Sequence, residues 1–182
     1  MSDSNPFFEP WRTPQAAPPF AEIRPEHFLP AYERAFAEHD AEIAEIAGAK
    51  AAPDFANTIE ALERSGRALE RVGNVFHLLA GAHTNDALLE IEREIAPKIA
   101  GHWNKIHLNA ALFGRIDALA KRSDSLELDA EQRRVLERYR TAFRRAGAAL
   151  DPLSASFQGR SCRPVLDKRR FFVRSVLECA PL

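Results

Sequence analysis

Cysteine is scarce in this chain: 182 residues contain two, Cys162 and Cys179, both close to the carboxyl end. Two thiols with no export signal make no disulfide framework, and they read as reduced side chains. No apolar run approaches the roughly 18 residues needed to span a bilayer. Met1 to Trp11 shows no basic stretch followed by an apolar one, so a secretory signal is not read there. A cytoplasmic protein without a membrane partner is the resulting expectation. Neither sign of charge dominates, since 25 Lys+Arg stand against 26 Asp+Glu for a formal net charge of −1. That balance gives no general attraction to nucleic acid. Strand-like alternation, GxGxxG and P-loop patterns, and Cys-x-x-Cys pairs are also missing.

What is present is amphipathic helix. A hydrophobic share of 46% and a charged share of 28% suit a protein with one real core. Seven of the twelve prolines fall in the first thirty residues, among Phe7, Phe8, Trp11 and Phe20. Proline removes backbone donors and biases its predecessor towards extended geometry, so residues 1–24 read as an extended arm. The rings point to an arm packed on a helical body, because a free linker usually lacks aromatics.

From Pro25 the period is helical. Phe28, Tyr32, Phe36, His39, Ile43 and Ile46 recur every three or four residues up to Gly48. Asn57 with Glu60 reads as a capping pair for a second helix, whose stripe is Ile59, Leu62, Leu69, Val72, Phe76 and Leu79. Gly66 and Gly73 lie within it, where a close neighbour would fit. Leu88, Ile91 or Glu92, Ile95, Ile99, Trp103 and Ile106 outline a third helix, with a kink expected at Pro97. Asn109 caps a fourth, 110–121, and Asp129 with Gln132 starts a fifth that carries Val135, Leu136, Tyr139, Phe143 and Leu150. The fold class is all-α: about five amphipathic helices over 25–150, preceded by the arm.

Several stretches carry a family resemblance. They are Asn5-Pro6, Trp11-Arg12-Thr13-Pro14, Ala17-Pro18-Pro19-Phe20, Ile23-Arg24-Pro25-Glu26-His27-Phe28-Leu29-Pro30-Ala31, Asn57-Thr58-Ile59-Glu60-Ala61-Leu62-Glu63 and Ala82-His83-Thr84-Asn85-Asp86. In order and spacing they resemble the amino-terminal region of the M3 family of zinc oligopeptidases, of the peptidyl-dipeptidase and oligopeptidase A types. The resemblance runs from about Asn5 to Leu150. It implies a helical segment that helps wall a substrate channel, with zinc as cofactor and short peptides as substrates of the intact family.

The chemistry of that family is not written in this chain. Its zinc is held by His-Glu-x-x-His plus a further glutamate, with the motif glutamate as general base. Here the histidines are 27, 39, 77, 83, 102 and 107, and no two are four apart. His102 and His107 are five apart and do not share a helix face. His27 beside Glu26 reads as a surface or packing residue. Ser65-Gly66 lies in a helical pattern rather than on a strand-to-helix elbow, and Glu42, Glu45, Glu90, Glu92 and Glu94 read as solvated faces. The expectation is therefore no catalytic, cofactor-binding or metal residues, and a truncated chain inactive by itself. A stand-alone helical interaction module is the alternative, and exposed apolar faces would allow self-association under either reading.

Residues 151–182 differ from the rest, with six Lys+Arg against three Asp+Glu and no match to the family. Lys168 to Arg174 mixes basic and aromatic residues, and Cys179-Ala180-Pro181-Leu182 has the form of a prenylation signal. Out-of-frame translation accounts for every change at once. A divergent extension forming a short helix over 165–177 is the other explanation.

Overall fold

The computed structural model describes residues 5–148, which form helices and turns and no strand. All-α is the fold class. The expected helix over 165–177, both cysteines, and the motifs at 168–174 and 179–182 lie outside the described residues.

Six α-helices are formed: α1 Phe28–Gly48, α2 Ala61–Arg64, α3 Arg67–Ala82, α4 Asp86–His107, α5 Ala110–Lys121 and α6 Ala130–Ala146. Capping chemistry sets several of their starts. Asn109 accepts the Leu112 amide at 3.0 Å, and Asp129 and Gln132 exchange side-chain and backbone bonds at the start of α6. Gly147, left-handed at φ 101°, ends α6. α4 continues through Pro97 without interruption.

Two expectations need correction. Asn57 is not the cap of the second helix; Asp54 is, accepting the Asn57 amide at 2.6 Å while Asn57 Oδ1 accepts the Asp54 amide at 3.0 Å. Asn57 is thus the third residue of a capping box, and the segment it opens is one wide π-type turn, Phe55–Glu60. The second helix is also two helices. Gly66 takes a left-handed φ of 74° between α2 and α3, a conformation costing other residues roughly 1–2 kcal/mol. A Cβ added there would lie 2.8 Å from the His39 ring. The close neighbour foreseen at Gly66 is real, and the helix breaks at this residue.

The described residues divide into two compact units, 5–44 with 64–99 and 45–63 with 100–148. The first has an aromatic core. Phe28, Tyr32 and Phe76 are at most 1% exposed, and Phe28 and Phe76 meet edge to face at 5.1 Å. Val72 and Val75 of α3 and Leu88, Ile91 and Ile95 of α4 complete it. The arm joins this core through Phe7, buried 5.4 Å from the Phe28 ring. Phe20, by contrast, is 43% exposed and does not take part in that packing. In the second unit α5 packs on α6, and both touch the π-type turn. Ile59, Leu112, Ile116 and Leu119 are fully buried there, and Leu136 and Phe143 nearly so.

Candidate functional site

Three polar constellations are built into this scaffold. The first is Arg115 on α5, a buried arginine of the second unit. Its Nη1 donates to the carbonyls of Ala49 and Ala51 at 2.8 and 3.1 Å. Its Nη2 donates to Asn57 Oδ1 at 2.8 Å, and Thr58 Oγ1 lies 3.4 Å away. Four acceptors from residues 49–58 thus converge on one guanidinium. Neutral acceptors rather than carboxylates surround the charge, so the arrangement holds a loop and offers no proton-transfer group.

The second constellation lies at the Gly66 break. Ser65 Oγ is 3.3 Å from His39 Nε2, and the Gly66 amide donates to Glu42 Oε2 at 2.7 Å. A serine hydroxyl against an imidazole has the outline of a nucleophile and base, but His39 is 3% exposed and its ring lies against the Gly66 backbone. The imidazole that would serve as base is buried, whereas nucleophilic catalysis needs both groups of such a pair beside the substrate carbonyl. The cluster joins α1 to the start of α3 by packing and hydrogen bonds.

The third ties down the arm in the first unit. Arg71 of α3 stacks over the Trp11 ring at 3.9 Å and donates to the carbonyl of Glu9 at 2.7 Å. Trp11 Nε1 donates to the Pro6 carbonyl, Asn5 Nδ2 to the His27 carbonyl, and Arg34 stacks on Phe8. Desolvation lowers the pKa of Arg71.

The histidines are dispersed. His77 and His107 each point Nδ1 at a carbonyl one turn earlier, Gly73 and Trp103, and so carry the proton on that nitrogen. His27 does the reverse, accepting the Arg24 amide at Nδ1 and closing the turn that leads into α1. His39 and His102 are buried, and His83 is exposed at the end of α3. Glu45, Glu90, Glu92 and Glu94 are exposed, with Glu94 paired to Lys98 at 2.7 Å. Among the described residues no three His, Cys, Asp or Glu side chains come together as metal ligands. The described residues do not assemble the donor set that a zinc ion needs. Spacing did not single out Arg71 or Arg115, whose partners lie some sixty residues away in sequence. Their one local signal is an arginine within an apolar helical pattern.

Comparison with known proteins identifies relatives. The chain is 42% identical over 150 residues to a dipeptidyl carboxypeptidase of Escherichia coli (strain K12), covering 82% of this chain and 22% of that protein. A dipeptidyl carboxypeptidase of Salmonella typhimurium (strain LT2) is 40% identical over 147 residues, covering 81% of this chain and 22% of the relative. The chain spans about a fifth of the length of these curated relatives. No family model matches it. Among the described residues no helix is long and apolar enough to cross a membrane.

Proposed function

Because the chain belongs to the M3 oligopeptidases of the dipeptidyl carboxypeptidase type, we propose that it is the amino-terminal helical part of such an enzyme, a wall of the channel that admits short peptides. The observation that carries this reading is 42% identity spread over 150 residues of a chain that contains no His-Glu-x-x-His. In the intact family a zinc ion supplies the Lewis acid that polarises the peptide carbonyl and activates water. On this proposal the present residues supply shape: α1, α3 and α4 form a rigid aromatic-cored body, and Arg115 fixes the loop over 49–58. Hydrolysis then requires zinc-binding residues that this sequence does not contain. Residues 151–182 are read as out-of-frame translation.

Complementation tests this directly. The Escherichia coli dipeptidyl carboxypeptidase is prepared without the stretch that this chain matches and assayed for dipeptide release, alone and mixed with this chain. Activity that returns on mixing supports the wall role; a shortened enzyme that is already fully active removes it.

A second reading, a stand-alone helical interaction module, is favoured by Leu78, which is 54% exposed on α3, and by Leu89, 39% exposed on α4. Apolar side chains left in water suit a partner surface or self-association. Analytical ultracentrifugation separates these outcomes, since Leu78→Glu should abolish any dimer formed through this face.

A further inference from the structure

The arm is anchored at one end and strained at the other. Its anchors fall within residues 5–11: Asn5 Nδ2 donates to the His27 carbonyl at 2.8 Å, Phe7 enters the core, and the Arg71 guanidinium lies 3.9 Å from the Trp11 ring. To return to the start of α1 the chain turns twice over residues 13–17. The Ala16 amide donates to the Thr13 carbonyl at 3.0 Å, and the Ala17 amide to that of Pro14 at 3.2 Å. Pro14 suits the first turn, but Gln15 then takes a left-handed φ of 58° and Ala16 one of 53°. Turns of this kind call for glycine or asparagine at both places. Both side chains are exposed, so no packing of their own offsets the strain, and the anchors impose it.

We propose that a second copy of the chain releases this strain: two copies exchange their arms, each laying residues 5–11 on α1 and α3 of the other. Every anchor contact is made again across the pair, because the surface that receives the arm is the same in both copies. What changes is the hinge, which opens to an extended path and leaves the left-handed region. Magnitudes decide whether this suffices. A short tether holds its arm at an effective concentration of about millimolar, so unaided exchange would need protein that concentrated. Each left-handed residue disfavours the closed form roughly tenfold. Two such residues in each of two hinges shift the balance by about 10⁴, which brings exchange into the micromolar range or below. Strained hinges of this kind invite swapping. Phe20, 43% exposed in the segment that follows the hinge, is the apolar group that two such segments running past each other would cover.

The test is sedimentation of the full chain between about 1 μM and about 1 mM, followed by isotope-filtered NMR on labelled and unlabelled protein refolded together from urea. A dimer should form, with a cross-peak between the Phe7 ring of one copy and the Phe28 ring of the other, rings that lie 5.4 Å apart when the arm is seated. Gln15→Gly combined with Ala16→Gly relieves the closed hinge and should raise the dimer dissociation constant at least tenfold. Leu78→Glu should leave this dimer intact, which separates arm exchange from association through the exposed face of α3. A chain that stays monomeric throughout, a Phe7–Phe28 cross-peak found only within one copy, or a glycine pair that leaves the dimer equally stable overturns the proposal.

Discussion

The two units of this chain are held together by different physics. In the unit of 5–44 and 64–99, aromatic rings dominate: Phe7, Phe28, Tyr32 and Phe76 form a continuous set with centroid separations of 5.1 to 5.9 Å. In the unit of 45–63 and 100–148 the buried side chains are mainly aliphatic, and a single guanidinium organises the loop before the π-type turn. The first arrangement is non-directional and scales with buried area. The second depends on donors and acceptors that must all be met, so losing one side leaves the other buried and unsatisfied.

Substitutions can break that contrast at chosen points. Phe76→Ala should have the largest effect, destabilising by about 3–5 kcal/mol because a ring 1% exposed leaves a cavity. Denaturant unfolding measures the loss, and hydrogen exchange should place it in α1, α3 and α4. Arg115→Met keeps most of the side-chain volume and removes the donors; about 2–3 kcal/mol is expected, with faster amide exchange over 49–58 while α4 remains protected.

Acid should expose a smaller difference. Burial lowers the pKa of His107, whose Nδ1–H is given to the Trp103 carbonyl and whose ring lies 5.2 Å from Phe143. The unfolded state then takes the proton first, so the contribution of His107 is complete above about pH 6.5 and declines below it, down to its folded pKa. His107→Phe should flatten that part of the profile. Asp117 follows at lower pH: hydrogen bonds from Lys121 and Arg140 lower its pKa. Its contribution is present above about pH 4 and is lost as pH falls through the folded value. Urea midpoints across the acid range, with exchange read separately in each unit, check both groups.

Smallest is Tyr32→Phe. The Tyr32 hydroxyl is buried without a hydrogen-bond partner, and burial raises its pKa. Removing it should be neutral or stabilise by up to about 1 kcal/mol, whereas a loss beyond about 1 kcal/mol would show that the hydroxyl has a partner in solution.

The elements legible in the sequence are those fixed by neighbours in the chain. Asn109 and Asp129 were readable as caps because their partners lie three residues on. The apolar stripe of α1 was readable because Phe28, Tyr32, His39, Ile43 and Ile46 share one face and are all buried. Asn57 is legible as capping chemistry but not as the third residue of the box, since Asp54, three residues earlier, accepts its amide. The break at Gly66 was not readable as a break, and the ring that packs against it belongs to His39, 27 positions earlier. The hubs at Arg71 and Arg115 were missed for the same reason. Helical period says which face is buried, and it says nothing of which carbonyls will meet a guanidinium there.

On the proposed reading, family membership and hydrolytic competence part company in this chain. Its most direct test is to purify the chain, add zinc, and measure bound metal together with dipeptide release from a short blocked peptide. The expected result is less than stoichiometric zinc and no cleavage above the buffer rate. One zinc per chain with cleavage that persists through repeated purification would contradict it.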